Sequence, residues 1–268
     1  MKKSILVLCA LLAVSTVFAQ TEVKPEKKKK IVKNGSFYFS WGYNGEWYTH
    51  SDIHVSQPAL NNNFTFLNVL ASDHKGWDNE VFSKALTIPQ YNYRFGYFFN
   101  EKQDWGLEIN FDHTKYVVNW GQPVHMKGTI NGKNVDTTES ANGTSIIWML
   151  NNGANFLQLN LVKKFKVFDL CNSKIEFDFL AKAGAGPVIP HVENTILGHD
   201  NNPHFQFGGW NADLDGSFRL TFFKHVFLEY QSKVVYGRYF HLQVYDGLAD
   251  QHFGCFEMAL VLGGTFKF

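Results

Sequence analysis

Apolar and polar residues alternate with a period of two along eight stretches of this chain. In the last stretch every second residue from Phe256 to Phe268 is apolar or glycine, whereas the positions between them include Glu257 and Lys267. Successive side chains of a β-strand point to opposite faces, so each stretch predicts a strand with one oily face and one polar face. The eight predicted strands cover residues 37–43, 91–99, 105–111, 157–165, 175–183, 210–220, 226–236 and 256–268.

The connections between these strands alternate in length. Segments 100–104, 168–173 and 223–225 are tight, whereas 49–88, 118–153, 187–204 and 239–253 are long. Alternating short periplasmic turns and long outer loops are typical of transmembrane β-barrels, and each stretch is long enough to cross a bilayer at a tilt. Asn131 and Gly132 in the second long loop predict a two-residue turn, so we expect that loop to form a β-hairpin.

The volume of the barrel interior decides which face of the predicted strands points inward. A soluble barrel would have the same period with its oily face inward, but an eight-stranded barrel has an interior only just wide enough for side chains. The many rings on the oily face, such as Phe95 and Phe179, would not fit there. The sequence therefore predicts an all-β fold, an eight-stranded antiparallel transmembrane β-barrel with short periplasmic turns and long extracellular loops.

The amino terminus carries an export signal. Lys2 and Lys3 precede an apolar run over residues 5–18 that ends at Ala19, which predicts a signal peptide over residues 1–19. Residues 20–35 are rich in lysine and predict a disordered periplasmic tail, with a tether to anionic headgroups as the alternative. We expect residues 36–268 to form the barrel.

The signal, the period, the loop asymmetry and the terminal Phe268 together resemble small eight-stranded bacterial outer-membrane β-barrel proteins of OmpA/OmpW-like architecture, without matching one functional family. The resemblance implies Sec-type export to the outer membrane, recognition of Phe268 by the barrel-insertion machinery, and contact with outer-membrane lipids and lipopolysaccharide. The net charge of +1 gives no reason to expect nucleic acid. We expect a monomer without a cofactor.

The polar face carries charges of both signs into a narrow lumen. Because an unpaired buried charge is costly, we expect these groups to form a paired network that fills the barrel and fixes strand register. The alternative is a narrow, cation-preferring path. The predicted lumen network consists of Arg94, Glu108, Asp112, Lys164, Glu176, Asp178, Lys182, Asp213, Asp215, Arg219, Glu229, Lys233 and Glu257.

Candidate chemistry lies after the first strand. If that strand continues past the membrane, Glu46, His50, Asp52 and His54 fall on one face, and the last three are candidate zinc or copper ligands. His54 and Ser56 also have the His-x-Ser spacing seen in lipid A deacylases, with Asp52 as a possible orienting acid. The alternative is that such residues are simply common in long polar loops and bind neither a metal nor a substrate.

The sequence favours a structural or surface-binding role through the long loops. The alternatives are a narrow OmpW-like channel for small or hydrophobic solutes and an outer-leaflet lipid A or phospholipid acyl hydrolase or transferase; on balance we do not expect an enzyme. Cys171 is predicted in a periplasmic turn and Cys255 near the outer rim. Those ends are separated by roughly the hydrocarbon thickness, about 25 Å, so we expect no disulfide between them.

Overall fold

The computed structural model describes residues 35–73, 90–99, 102–172 and 174–267. The predicted signal peptide, the tail except Gly35, and the terminal Phe268 lie outside these residues. The described residues form eighteen strands and one short 3-10 turn, Pro58–Leu60. Helices long and apolar enough to cross a membrane are absent from this described part of the chain. The strands are β1 (Ser36–Tyr48), β2 (Ser51–Gln57), β3 (Asn62–Val69), β4 (Ala71–Ser72), β5 (Tyr91–Phe98), β6 (Trp105–His113), β7 (Tyr116–Val118), β8 (Pro123–Ile130), β9 (Lys133–Ser140), β10 (Ile146–Leu150), β11 (Phe156–Leu170), β12 (Ile175–Val188), β13 (His191–Ile196), β14 (His199–Asp200), β15 (His204–Phe205), β16 (Gly209–Phe222), β17 (Val226–Val244) and β18 (Gly247–Lys267).

Eight of the described strands close into a ring. Their order is β1-β5-β6-β11-β12-β16-β17-β18, and β18 pairs back to β1. Every pairing is antiparallel, and the closing seam runs from Phe37 opposite Phe266 to Tyr48 opposite Cys255. A closed sheet leaves no unpaired edge, because each strand bonds to two neighbours. These are the eight strands that the alternation predicts, so the predicted all-β barrel is confirmed.

Within the described residues, the segments predicted as long loops are largely β-structure. The hairpin prediction is confirmed: β8 pairs with β9 around Asn131 and Gly132, both of which have positive φ. The long connection predicted over residues 239–253 is mostly strand, since β17 and β18 continue as one hairpin in which Leu242 pairs with Ala249. These parts of the strands were not predicted because the alternation inverts. Beyond the barrel wall, their apolar side chains point inward and their polar side chains point outward.

A two-sheet unit, which we call the cap, continues from the end of the barrel opposite the tight turns. One sheet extends the barrel wall in the order β18-β2-β3-β8-β9, and the other has the order β14-β13-β10-β7-β4, with β15 paired to β13. Side chains from both sheets form a single apolar core. Its fully buried members include Ile53, Val55, Phe64, Phe66, Tyr116, Val124, Ile146, Trp148, Val192, Ile196, Tyr239, Leu242 and Phe253.

A β-bulge joins the barrel to the cap at the end of β1. Tyr48 pairs with Cys255 and Ile53 pairs with Gln251, so five residues on one strand span four on the other. Thr49 fills the gap: its backbone N–H donates to the carbonyl oxygen of Gly254 at 2.9 Å, and its hydroxyl accepts from the Gly254 N–H at 2.9 Å. An extra residue on one strand reverses which side chains face inward beyond it.

The bulge corrects one expectation from the sequence. Glu46 points into the barrel and is buried, whereas beyond the bulge Ile53 and Val55 are buried and Asp52 and His54 are exposed. Glu46 therefore does not share a face with the candidate metal ligands. The bulge leaves no periodic signal in the sequence, because apolar residues stay at odd positions, from Phe39 and Trp41 to Ile53 and Val55, while the face on which they lie is reversed.

Candidate functional site: the filled lumen and the cap

Arg94 lies at the centre of the barrel interior and is almost fully buried. Its Nη1 donates to Asp112 Oδ1 at 2.8 Å and to Asn110 Oδ1 at 3.0 Å, and its Nε donates to Gln231 Oε1 at 3.0 Å. Its Nη2 lies 3.6 Å from Glu257 Oε1. The strands that supply these groups come from opposite sides of the ring, so the guanidinium ties the walls together across the lumen.

Lys233 shares the acidic partners of Arg94. Its ammonium contacts the Asp112 carboxylate and lies 3.2 Å from Glu257 Oε1. It also donates to Gln158 Oε1 at 3.3 Å. Two cations and two carboxylates therefore form one connected group.

Lys182 is the centre of a second buried group. Its Nζ lies 2.9 Å from Glu229 Oε1, 3.2 Å from Glu108 Oε2 and 3.6 Å from Asp215 Oδ2. The Ser217 hydroxyl donates to Asp215 Oδ1 at 2.5 Å. Three carboxylates thus surround one buried ammonium.

Arg219 closes the end of the lumen near the tight turns. Its guanidinium carbon lies 4.4 Å from the centroid of the Tyr38 ring and 4.0 Å from that of Phe227, while its Nε donates to Glu229 Oε2 at 2.5 Å. Such stacking places a cation between two rings. The Tyr38 hydroxyl donates to Glu108 Oε2 at 2.7 Å, which links this layer to the Lys182 group.

The other predicted lumen residues lie at the margins of these groups. Asp213 accepts from Asn160 Nδ2 at 3.1 Å. Lys164 has its Nζ 4.9 Å from the Phe98 ring, and with Glu176 and Asp178 it lines the mouth at the tight-turn end.

Neutral amides complete the interior, and the sequence analysis missed them. Asn110 Nδ2 donates to Gln158 Oε1 at 2.8 Å, and Gln158 Nε2 donates to Asn211 Oδ1 at 2.6 Å. Their only sequence signal is their place on the polar face. These amide side chains fill the space between the charged side chains.

Aromatic rings close the other end of the lumen. Glu46 marks the last charged layer, where it accepts from Asn44 Nδ2 at 2.6 Å and from Gln90. Beyond it Phe253 stacks with Tyr116 at a centroid distance of 4.6 Å and with Tyr239 at 5.1 Å. Ionised groups are therefore enclosed between two layers of rings.

The outer wall of the barrel has the opposite character. Phe95 is 50 % exposed while its neighbour Arg94 is 1 % exposed, and Leu260 is 54 % exposed while Ala259 is buried. A soluble barrel would bury its rings and expose its charges. The chain has the fold of the small bacterial outer-membrane β-barrels. The oily face is the outward face, as the volume argument predicts.

Comparison with solved structures gives barrels of this kind at low similarity. The attachment invasion locus protein Ail of Yersinia pestis is 12 % identical, with 87 % of this chain and 99 % of that one covered and a TM-score of 0.32. The outer membrane protein OprG from Pseudomonas aeruginosa is 10 % identical, with 88 % and 98 % covered and a TM-score of 0.36. The outer membrane protease OmpT from Escherichia coli is 8 % identical, with 90 % and 99 % covered and a TM-score of 0.39. No protein-family model matches the sequence, and no curated protein is similar to it in sequence.

The catalytic candidates share one face of β2, and their hydrogen bonds go to other residues. Asp52, His54 and Ser56 all point outward, two residues apart, and each such step spans about 6.7 Å. Among the described residues, no hydrogen bond joins any two of these three side chains. Instead His54 Nδ1 lies 3.1 Å from Thr65 Oγ1, and Asp52 Oδ1 accepts the Asn68 N–H at 2.7 Å.

Two of the metal candidates contact the same asparagine. His50 Nδ1 lies 2.7 Å from Asn68 Oδ1, and the Asn68 backbone N–H donates to Asp52 Oδ1. Across the described ranges, three or more His, Cys, Asp or Glu side chains are nowhere arranged to hold a metal ion. Cys171 is exposed, Cys255 is buried, and neither forms a disulfide.

The cap carries a concave surface that the sequence analysis missed, because its residues lie in segments predicted to be loops. Two adjoining recesses of about 470 and 340 Å³ both contact Ile147 and Met149, on the outward face of β10. We call this surface the cap groove. Val117 and Trp120 line one end, and the other end is lined by Glu193, Asn194, Thr195, Asp200, Asn201 and Pro203.

Proposed function

We propose that this chain is an outer-membrane protein in which the barrel is a closed anchor and the cap is a binding surface on the outside of the cell. The observation that supports the closed anchor is the pair of ring layers at the two ends of the lumen, formed around Arg219 and around Phe253. Between them the Arg94 and Lys182 groups occupy the interior. An eight-stranded barrel has no room for a water path beside such contents.

The cap is the part of the molecule suited to binding. Its two sheets share an apolar core of their own, so its outward surfaces are held rigidly. The cap groove has an apolar floor at Ile147 and Met149 and carboxylates at one end, from Glu193 and Asp200. We infer that it takes a partner segment with apolar side chains and a flanking positive charge, because that chemistry complements both parts of the groove.

The orientation of the cap is tested with a thiol reagent too large to cross the outer membrane. Lys133 at the tip of the β8–β9 hairpin is exposed, and the native Cys171 is exposed at the opposite end of the barrel. In intact cells, polyethylene glycol maleimide should label Lys133→Cys, whereas Cys171 should react only after the membrane is permeabilised. Labelling of Cys171 alone in intact cells would reverse the orientation and remove the surface role.

The closed lumen is tested in planar bilayers. The purified chain should produce no unit conductance steps, because no continuous aqueous path crosses the two ring layers. Reproducible steps in the wild type, lost when Phe253 is replaced by Trp, would overturn the closed anchor and favour the narrow-channel alternative. The orientation experiment does not depend on this result.

The cap groove is tested with a synthetic peptide of alternating leucine and lysine, followed by fluorescence anisotropy. Binding should weaken by roughly tenfold in Ile147→Lys/Met149→Lys, since the substitution puts like charge on the apolar floor. Thr138→Lys on the exposed face of the β8–β9 hairpin is the matched control and should bind as the wild type does. Equal affinity in all three proteins would remove the groove and leave the anchor untouched.

A further inference from the structure

The chain contains three arginines, and two of them, Arg94 and Arg219, are buried in the lumen against carboxylates. The third, Arg238, lies on the outward face of β17, half-exposed. Its Nη1 lies 3.2 Å from His252 Nδ1 on β18. No carboxylate of the described residues forms an ion pair with it.

Arg238 lies where the apolar wall of the barrel ends. Two residues earlier on the same strand is Tyr236, which is 42 % exposed, and the next outward residue is the exposed Val234. Trp210 is the register partner of Arg238 on β16 and is also exposed. Exposed tyrosine and tryptophan form the interfacial girdle of a membrane barrel, so Arg238 lies at the level of lipid headgroups.

The side chains around Arg238 form a continuous row across three strands. Trp210, Arg238 and His252 are successive register partners on β16, β17 and β18. The Tyr236 ring lies below the row, 5.7 Å from the Trp210 ring and 6.1 Å from the His252 ring. Its register partners are Ala212 and Gly254, whose small size leaves space at the wall on both sides of the ring.

The contact between Arg238 and His252 determines which ring nitrogen of His252 carries the proton. A guanidinium N–H can only donate, so His252 Nδ1 is the acceptor and the neutral imidazole carries its proton on Nε2. The remaining guanidinium N–H groups and this Nε2–H are donors on the same side of the wall. Two acids on neighbouring strands accept hydrogen bonds from backbone amides: Asp52 Oδ1 on β2 accepts from Asn68, and Asp250 Oδ1 on β18 accepts from His241.

We propose that Arg238 and His252 bind the phosphate group of a membrane amphiphile, whose acyl chains lie along Tyr236 and Val234 below. A phosphate offers several acceptor oxygens and a charge that matches the guanidinium, and arginine is the residue best suited to hold it in two places. The proposal rests on the proposed function in one respect, since the orientation of the cap decides that the headgroup belongs to the outer leaflet.

The test is native mass spectrometry of the full chain in detergent, titrated with four lipids. They are bisphosphorylated lipid A, the same lipid A with both phosphates removed, phosphatidylglycerol and an uncharged diacylglycerol. The wild type should retain a phosphate-bearing lipid, and Arg238→Gln/His252→Gln should weaken retention by roughly tenfold, as expected for loss of charge-assisted hydrogen bonds. Which of the two phosphate lipids is retained identifies the source of the phosphate.

The matched control lies at the opposite rim of the wall. Lys163 is a cation beside a tryptophan, with its Nζ 4.8 Å from the Trp105 ring, but it is already paired with Asp104 at 2.5 Å. Lys163→Gln should therefore leave retention unchanged. Equal retention of phosphorylated and phosphate-free lipid A, or equal loss in Lys163→Gln, would overturn the site. The thiol-labelling experiment reports on the proposed function separately, because it involves neither Arg238 nor His252.

Discussion

Tyr116 and Phe253 stack with ring centroids 4.6 Å apart and ring planes 19° apart, and they belong to different sheets. Tyr116 is on β7 of the smaller cap sheet, whereas Phe253 is on β18 of the barrel wall. The contact therefore joins the cap to the barrel at the level where the charged lumen ends. Both rings are fully buried.

Replacing Phe253 by Ala should destabilise the cap by about 3–5 kcal/mol, because the cavity removes contacts with Tyr48, Tyr116 and Tyr239. The free energy of unfolding is measured by urea titration in detergent, with tryptophan fluorescence as the signal. Leu248→Ala on the same strand is the control, since Leu248 is 46 % exposed and should cost less than about 1 kcal/mol. Equal costs at the two positions would contradict a packed core.

Charge reversal in the lumen should destabilise the barrel without opening it. In Arg94→Glu, Asp112 and Glu257 lose a buried partner and gain a like charge, which should cost at least about 3–5 kcal/mol. Samples are heated to increasing temperatures before electrophoresis. The band of the folded protein should disappear at a lower temperature in Arg94→Glu than in the wild type. Lys133→Glu, on the exposed hairpin, should migrate as the wild type does. A conducting but equally heat-resistant Arg94→Glu would show that the interior is not a structural network.

A buried hydrogen bond in the cap should show strong coupling. The Trp148 indole N–H donates to Gln251 Oε1 at 3.0 Å, and both side chains are buried. Trp148→Phe and Gln251→Leu should each leave one polar group unsatisfied, so the double variant should be less destabilised than the sum of the two by about 1–3 kcal/mol. The measurement is a double-mutant cycle on unfolding free energies, and strict additivity would exclude the bond.

The β8–β9 hairpin should show a measurable pH effect. A hydrogen bond from Lys127, its positive charge and the nearby His125 lower the pKa of Asp136 below its usual 3.8. A carboxyl group with a lowered folded pKa stabilises the hairpin above the unfolded pKa, and that contribution is lost as pH falls through the folded value. NMR titration of the Asp136 carboxyl carbon should therefore give a higher pKa in Lys127→Gln. An unchanged pKa would mean that the ion pair does not form in solution.

The barrel strands could be predicted because each alternates where it forms the barrel wall, with one oily outward face. The clearest example is residues 256–268, where apolar positions alternate with a set that includes Glu257, Thr265 and Lys267. The Asn131-Gly132 turn could also be predicted, since few other sequences adopt that backbone geometry. Both signals are local.

The cap could not be predicted because its pairings are long-range and its strands are short. Val55 pairs with Phe64 nearby but also with Ala249, and β10 has only five residues. Its alternation also has the opposite polarity from that of the barrel wall, with oily residues inside. The placement of Asp52, His54 and Ser56 depends on the bulge at Thr49, which no periodic pattern reveals.

Strands β17 and β18 run from the tight-turn end of the barrel to the tip of the cap with 19 and 21 residues each. At about 3.3 Å per residue this makes one hairpin of roughly 60 Å. A load on the cap would therefore pass into the barrel wall along paired backbone, whose register shifts once, between Tyr239 and Leu242. The orientation of the cap relative to the barrel wall is therefore set by the sheet that the two share.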